Sequence, residues 1–216
     1  MKKFLAGMLG AAFAFLVFAG TAAADPKGEK LFQDMAKAWS GIKDYTCKFS
    51  YEEDKGGSMS GGTYDYKFKK PYIVRLEGVD GENKGTIVVY RPDQDGDFVH
   101  VKKGILPLKL KKTNGMVKDF FKSDLGFDIK YAQEFVKSSG ASITLKSPGS
   151  VKGRSAEVLE LTAKKSGEFS KVVVYVDKAT KMPIQIDRYK GSKPFSHRLY
   201  WDLKVNTNFS SNDVKF

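Results

Sequence analysis

Residues 63–68 read Thr63-Tyr64-Asp65-Tyr66-Lys67-Phe68, and this strict alternation of polar and apolar side chains decides the fold. Successive side chains of a β-strand point to opposite faces, so a period of two predicts a half-buried strand. The same period runs through residues 45–51, and the Gly/Ser-rich segment 56–62 joins the two. The pattern predicts that an antiparallel hairpin opens a sheet.

Nine further segments have the composition of strands and are separated by turn residues. The clearest turn is Asp95-Gly96, which predicts a hairpin between the strands on either side of it. In the last segment, alternate residues from Phe195 to Val205 form an apolar face, so His197 is expected in the core. The nine segments are 72–77, 86–91, 98–102, 106–111, 142–146, 156–163, 171–177, 183–189 and 195–205.

Two segments have the spacing of amphipathic helices. One covers residues 28–43, and the other covers 116–138 with Gly126 separating two short pieces. About eleven antiparallel strands favour one large curved sheet or barrel, which makes the fold mainly β (α+β). Both helical segments must bury an apolar face, and we expect both to pack against the concave side of that sheet.

The first 24 residues have the three parts of a secretory signal peptide. Lys2 and Lys3 precede an apolar run, and the run ends in Ala22-Ala23-Ala24. The predicted mature chain begins at Asp25, which is not the cysteine needed for a lipid anchor. We therefore expect residues 1–24 to be a signal peptide, residues 25–216 to be a single domain, and the product to be periplasmic.

Composition restricts the chemistry that this chain can perform. The formal net charge is +12, which favours anionic partners such as lipid headgroups, while export argues against nucleic acid. The only cysteine, Cys47, excludes a disulfide within the chain. The sequence has no nucleophile elbow and no zinc or dinucleotide motif. We expect no enzyme activity, no cofactor and no metal site; an unrecognised hydrolase is a minor alternative.

Several stretches, in this order, resemble the LolA/LolB-like outer-membrane lipoprotein-sorting proteins. They follow the opening helix and are Ile42–Thr46, Tyr66–Arg75, Thr86–Tyr90, Val174–Lys178 with Met182–Ile184, and Leu203–Asn206. The resemblance implies an incomplete β-barrel, covered by short amphipathic helices as a lid, that encloses an apolar pocket for acyl chains. In that family an arginine before the proline helps to control the lid. Lys70 occupies this position here, and Arg75 is a nearby alternative.

The sequence therefore predicts a monomeric carrier of lipoprotein acyl chains or lipid, with an inner-membrane donor and an outer-membrane acceptor as possible partners. An envelope regulatory or sensor module that binds a protein is the alternative, and an integral outer-membrane barrel is a weaker one. Both faces of segment 171–177 are apolar, so one face can line a cavity. The expected ligand-binding residues are Met35, Trp39, Tyr66, Phe68, Val89, Val174, Val176, Ile184 and Trp201.

Overall fold

The structure is a computed structural model that describes residues 25–117, 120–122 and 124–215. The predicted signal peptide, residues 1–24, lies outside the described residues. The helices of the described part are α1 (Pro26–Ser40), α2 (Pro92–Asp95) and α3 (Leu125–Ser139). Its first strands are β1 (Asp44–Asp54), β2 (Met59–Lys69), β3 (Ile73–Gly81), β4 (Thr86–Tyr90), β5 (Phe98–Lys103) and β6 (Leu106–Lys111). The remaining strands are β7 (Ser142–Val151), β8 (Arg154–Thr162), β9 (Lys171–Asp177), β10 (Pro183–Lys190) and β11 (Lys193–Val205).

The strands of the described part form one antiparallel sheet of eleven strands, in the order β6-β5-β4-β3-β2-β1-β11-β10-β9-β8-β7. Every neighbouring pair is consecutive in the chain except β1 and β11, which join the two halves at the centre. β6 and β7 do not pair with each other, so the sheet is an incomplete barrel with two edges. The predicted fold class is confirmed.

The topology forces the helical segment to cover one face of the sheet. The chain leaves β6 at one edge and must reach β7 at the other, so residues 112–141 cross over the strands between them. α3 lies in this crossing and contacts β10, while α1 contacts both β7 and α3. We call the face covered by α1 and α3 the inner face.

The main core lies between the inner face and the two helices. Tyr45, Phe49, Tyr66 and Tyr200 fill its centre and are almost fully buried. On the outer face two smaller clusters are buried. One joins Ile73 and Val89 to Val214 near the chain end, and the other consists of Val151, Ala156 and Ile184. Most of the apolar surface is therefore buried under the helices.

α1 begins two residues earlier than the sequence predicts because Asp25 caps it. The Asp25 Oδ1 accepts hydrogen bonds from the amides of Lys27 and Gly28, at 3.1 and 3.2 Å. Its Oδ2 accepts the amide of Leu145 in β7 at 2.6 Å. The hydrogen bond from Leu145 is the largest cause of the lowered pKa of the Asp25 carboxyl. The cap therefore also attaches α1 to the edge strand.

The predicted break at Gly126 is wrong, because the helical segment divides before Asp124. A 3-10 turn covers Phe120–Lys122, and α3 then begins at Leu125. Asp124 is the N-cap, and its Oδ1 accepts the amide of Phe127 at 2.8 Å. The amide of Leu125 donates to the buried hydroxyl of Tyr45 at 3.1 Å. These partners satisfy the first N–H groups of α3, so Gly126 lies within its first turn.

The last strand buries the face that its sequence marks as polar. Ser196, Arg198 and Tyr200 are buried, whereas His197 lies half-buried on the outer face, where its Nδ1 is 2.6 Å from the Asp187 carboxylate. The expectation of a core histidine is therefore wrong. A bulge at Asp202, with φ of 52°, precedes Leu203, which belongs to the main core.

A buried carboxylate explains this reversal. The Asp128 Oδ1, on α3, accepts hydrogen bonds from Arg188 Nη2 at 2.9 Å and from Arg198 Nη1 at 2.7 Å. Its Oδ2 accepts the hydroxyl of Tyr200 at 2.6 Å. The side chains of Asp128, Arg188 and Arg198 are all at least nine-tenths buried. We call these four residues the Asp128 cluster, and it connects α3 to β10 and β11.

Aromatic rings surround the two guanidinium groups. The Arg188 guanidinium carbon lies 4.1 Å from the ring centroid of Tyr131, and that of Arg198 lies 5.0 Å from the ring centroid of Tyr51. Burial, together with the charge of Arg198, lowers the pKa of Arg188. Burial also raises the pKa of Tyr200 well above its usual value, so its hydroxyl remains a donor to Asp128.

We predict that Asp128→Asn strongly destabilises the fold. The substitution leaves two buried guanidinium groups without their counter-charge. Loss of one partner of a buried ion pair lowers the free energy of unfolding by roughly 3–5 kcal/mol. Urea unfolding followed by circular dichroism measures the change. Asp34→Asn is the matched control, because Asp34 pairs with Lys30 on the exposed side of α1 and should leave the midpoint nearly unchanged. Equal midpoints for the two variants would contradict the prediction.

Candidate functional site

A cleft of about 590 Å³ opens between the two long helices and the turn from β2 to β3. α1 and α3 form two of its walls, and the β2–β3 turn and the 3-10 turn complete it. Most of the surface that lines it is apolar. The lining residues are Ala36, Trp39, Phe68, Lys70, Pro71, Tyr72, Phe121, Asp124, Gly126, Phe127, Ile129, Lys130 and Gln133.

Close contact between the helices shapes the cleft. Trp39 stands at the end of α1 and packs on Tyr45 and Phe68, with ring centroids 6.1 and 5.7 Å away. On the other side it faces Gly126 of α3. A Cβ atom at Gly126 would lie 2.3 Å from the indole Cζ2. The absence of a side chain at this position therefore allows α1 and α3 to approach.

A hydrogen-bonded pair forms the polar part of the cleft. The hydroxyl of Tyr72 donates to Asp124 Oδ2 at 2.7 Å, and the carbonyl oxygen of Phe121 lies 3.1 Å from the same hydroxyl. Burial raises the pKa of the Asp124 carboxyl, although the hydrogen bonds from Tyr72 and Phe127 oppose this. The pair ties the start of α3 to the β2–β3 turn.

Lys70 lies at the rim of the cleft and holds the end of α1. Its Nζ donates to the carbonyl oxygens of Trp39 and Ser40, at 2.9 and 3.4 Å. The ammonium also lies 4.7 Å from the centroid of the Trp39 ring. A cation at a helix C-terminus satisfies free carbonyls and complements the helix dipole. Partial burial lowers the pKa of Lys70.

Arg75, the second residue predicted to control the lid, lies away from the cleft. Side chains alternate along β3, so Val74 and Leu76 enter the main core while Arg75 projects from the outer face. Its Nε donates to the carbonyl of Lys215 at 2.9 Å, and its Nη2 donates to Glu77 at 2.7 Å. Of the two predicted lid-control residues, only Lys70 touches a helix.

Six of the nine predicted ligand-binding residues lie between the inner face and the helices. Trp39 and Phe68 line the cleft itself. The other four are buried in the main core: Met35, Tyr66, Val174 and Val176. They form a packed layer behind the cleft, so a ligand reaches them only when the core rearranges.

The structure does not bring the remaining three to the cleft. Val89 and Ile184 belong to the two outer clusters, because the alternation along β4 and a register shift in β10 turn them away. Trp201 pairs with Lys48 in the sheet, and its ring is 5.6 Å from the Nζ of Lys152. These three residues therefore lie outside the cleft, and the cause is the same in each case. Strand faces follow register, which the sequence does not fix in long apolar strands.

Several lining residues were missed by the sequence analysis. Tyr72, Phe121, Phe127 and Ile129 come from the β2–β3 turn and the helical crossing, which meet only in the folded chain. A signal did exist at Asp124, because an aspartate directly before an apolar helical pattern is an N-cap signature. That signature would have placed the start of α3 correctly.

Other chemical groups lie away from the cleft. Cys47 is buried in the main core, and burial strongly raises the pKa of its thiol. Within residues 25–117, 120–122 and 124–215, His, Cys, Asp and Glu do not form a group of three or more that could hold a metal ion. The cleft itself provides apolar contact, one carboxyl–hydroxyl pair and two cations, Lys70 and Lys130.

The helices of the described part differ from a membrane-spanning helix. In the described part of the chain, none of them combines the length and the apolar character needed to span a bilayer.

The fold matches several solved structures. Mycobacterium tuberculosis lipoprotein LppX has a TM-score of 0.58 and 12% identity, covering 87% of this chain and 100% of LppX. MucB in the Pseudomonas aeruginosa MucA/MucB complex has a TM-score of 0.55 and 16% identity, covering 88% of this chain and 61% of that one. The LolA superfamily protein NE2245 from Nitrosomonas europaea has a TM-score of 0.42 and 12% identity, covering 88% and 97%. This chain shares the fold of LppX and MucB.

The resemblance to the LolA/LolB-like proteins is therefore confirmed at the level of the fold. Neither a protein-family model nor a curated protein matches the sequence. In this chain, α1 and α3 form the helical lid over the incomplete barrel. The cleft lies where these two helices meet the sheet.

We predict that Gly126→Ala displaces Trp39. Alanine should stabilise a helix by up to about 1 kcal/mol relative to glycine. Overpacking against the indole opposes this gain, because it lowers the free energy of unfolding by about 1–3 kcal/mol. It should also change the fluorescence emission of Trp39. Fluorescence in a Trp201→Phe background and urea unfolding measure both effects. Gly115→Ala is the control, because a Cβ there has no neighbour within 4 Å among the described residues. A more stable Gly126→Ala variant with unchanged emission would contradict the prediction.

Proposed function

We propose that this protein is a periplasmic carrier that holds acyl chains of a lipoprotein or lipid in the cleft for transfer toward the outer membrane. The observation that carries the proposal is the apolar cleft of about 590 Å³ at the junction of the lid and the sheet. This volume is within the range of small-molecule sites, roughly 300–1,000 Å³. The predicted signal peptide supports the periplasmic location.

The cleft and the packed layer behind it define how a long chain would enter. An acyl group first replaces water against Trp39, Phe68 and Ile129. Deeper entry requires α1 and α3 to separate, because Met35 and Tyr66 already fill the space behind. Capture and release then correspond to a shift between closed and open populations of the lid. No covalent step is needed.

The contacts of α3 with α1 and with the sheet differ in strength, and this difference directs the opening. At the cleft, α3 meets α1 through the contact between Gly126 and Trp39. Two residues further on, the Asp128 cluster anchors α3 to β10 and β11 with charged hydrogen bonds. Separation at the cleft leaves the cluster intact, whereas lifting the whole helix would break it. We therefore propose that the lid opens by moving α1 away from α3, while the Asp128 cluster holds α3 on the sheet.

A protein-binding regulatory module is the second candidate. Its support is the solved complex in which MucB, which shares this fold, is bound to MucA. This chain spans about 61% of the length of MucB in that complex. In such a module the same cleft would bind an apolar side chain of a partner. A donor at the inner membrane and an acceptor at the outer membrane belong to the carrier proposal alone.

We predict that Trp39 reports saturable binding of acyl chains. Saturated fatty acids of 8 to 16 carbons are titrated into the Trp201→Phe protein, and emission is recorded. Each added CH₂ contributes about 0.8 kcal/mol before binding costs, so affinity should rise by up to roughly fourfold per carbon until the cleft is full. Phe68→Ala should weaken binding, and Val89→Ala on the outer face is the matched control. Absence of saturation and of chain-length dependence would favour the protein-binding module.

We predict that Lys70→Leu changes acyl retention more than stability. The variant releases the C-terminal carbonyls of α1 next to Trp39, so the lid should open more readily and fatty acid should dissociate several-fold faster. Stopped-flow displacement measures the rate, and urea unfolding measures stability. Lys67→Leu on the neighbouring part of β2 is the matched control for the loss of charge. Equal dissociation rates in both variants would argue that Lys70 does not control the lid.

A further inference from the structure

The hairpin formed by β5 and β6 presents large apolar side chains to solvent. Ile105 at its tip is 91% exposed, Leu106 is 68% exposed and Leu108 is 45% exposed. Leu108 pairs with Val101 across the hairpin, and Val101 belongs to the main core, so the leucines extend the inner face beyond its helical cover. An exposed apolar surface of this kind marks a site of interaction.

The same hairpin is strongly basic. Residues 98–112 contain five lysines and no acidic residue. Lys109 pairs with Asp95 and Lys112 pairs with Asp97. The other three, at positions 102, 103 and 111, have no ion pair within the described residues. Their charge therefore remains available to an anionic partner.

We propose that the β5–β6 hairpin docks on the surface of an anionic lipid bilayer. Ile105 and Leu106 enter the boundary between headgroups and acyl chains, and the lysines contact lipid phosphates. Apolar side chains ringed by lysine are the chemistry of interfacial membrane binding. Anionic lipids attract each lysine near the surface, and this attraction falls off within a Debye length.

The hairpin is less suited to pairing with a strand of a second copy. β6 is an edge strand, but Pro107 cannot donate a backbone hydrogen bond from that edge. Two copies would also bring their lysines together, and lysine at an edge opposes edge-to-edge association. An anionic surface instead matches both the charge and the exposed apolar tip.

Docking at the hairpin is separate from the cleft. The tip lies at the end of the sheet where Lys103 pairs with Thr86. The cleft lies toward the other end of β4, where Tyr90 packs against Tyr72 and Phe121. Membrane docking therefore leaves the cleft accessible, and its test is independent of acyl binding.

Vesicle binding tests the proposal. The protein is mixed with unilamellar vesicles of phosphatidylcholine alone, or with 30% phosphatidylglycerol, and the bound fraction is measured by flotation. Ile105→Ser with Leu106→Ser removes the apolar tip. Lys102→Gln, Lys103→Gln and Lys111→Gln together remove the three unpaired charges. Each lysine contributes about 1 kcal/mol to binding, so the triple variant should bind anionic vesicles roughly 100-fold more weakly. The tip variant should bind them at least about tenfold more weakly.

Matched controls separate the hairpin from the overall charge. Met59→Ser changes another exposed apolar residue, and Lys193→Gln with Lys204→Gln removes two exposed lysines from β11. An environment-sensitive dye on Ile105→Cys should report apolar surroundings on binding, whereas dye on Met59→Cys should not. Cys47 is buried and does not compete for the label.

Three results would overturn the proposal. The first is equal loss of binding in the hairpin and control variants, which would mean that net charge alone attracts the protein. The second is equal binding to vesicles with and without phosphatidylglycerol. The third is a concentration-dependent dimer that the tip variant abolishes while vesicle binding is unchanged, which would assign the hairpin to a second copy.

Discussion

The carboxylate of Asp128 is the interaction on which the arrangement of this fold depends. It neutralises part of the charge of two buried arginines and accepts the hydroxyl of Tyr200, so it holds the crossing helix α3 on the two central strands β10 and β11. Two guanidinium groups face one carboxylate, and neighbouring aromatic rings contribute further cation–π contacts. Removing the carboxylate leaves buried charge uncompensated, and that penalty ties the position of α3 to the register of β11.

The position of α3 in turn creates the cleft. Since the chain must pass from the edge strand β6 to the opposite edge β7, a helix necessarily crosses the inner face. α1 is attached beside that crossing through the Asp25 cap on β7. The two helices meet at Gly126 and Trp39, and the space next to this contact is bounded by Tyr72 and Lys70. The anchor at Asp128 holds α3 on the sheet, and the weaker contact between Gly126 and Trp39 leaves α1 as the part of the lid that can move.

The cleft and the β5–β6 hairpin are two separate surfaces, proposed to bind acyl chains and an anionic membrane respectively. The cleft is open and largely apolar, with Lys70 and Lys130 among its lining residues, and this surface suits an apolar ligand. The hairpin is exposed, apolar at the tip and basic along its sides, as suits an anionic surface that stays outside. Their separation along β4 allows a protein docked at a membrane to keep its cleft available to cargo.

Through its resemblance to a known family, the sequence indicated the open sheet and singled out Lys70. By itself it determined the eleven strands, the two amphipathic helices and the apolar faces that carry Trp39 and Phe68. These features follow from local periodicity and turn chemistry, which act over a few residues. Tertiary structure alone decided which face each strand buries. Because arginine is charged, the strand faces that carry Arg188 and Arg198 would be expected to face solvent. Both faces are buried instead, because the carboxylate of Asp128, 60 and 70 residues away, compensates for the desolvation of the two guanidinium groups. Strand alternation and register place Val89, Ile184, Trp201 and Arg75 away from the cleft. The folded chain brings Tyr72, Phe121 and Asp124 to it. Register and long-range ion pairing are set only when distant segments meet.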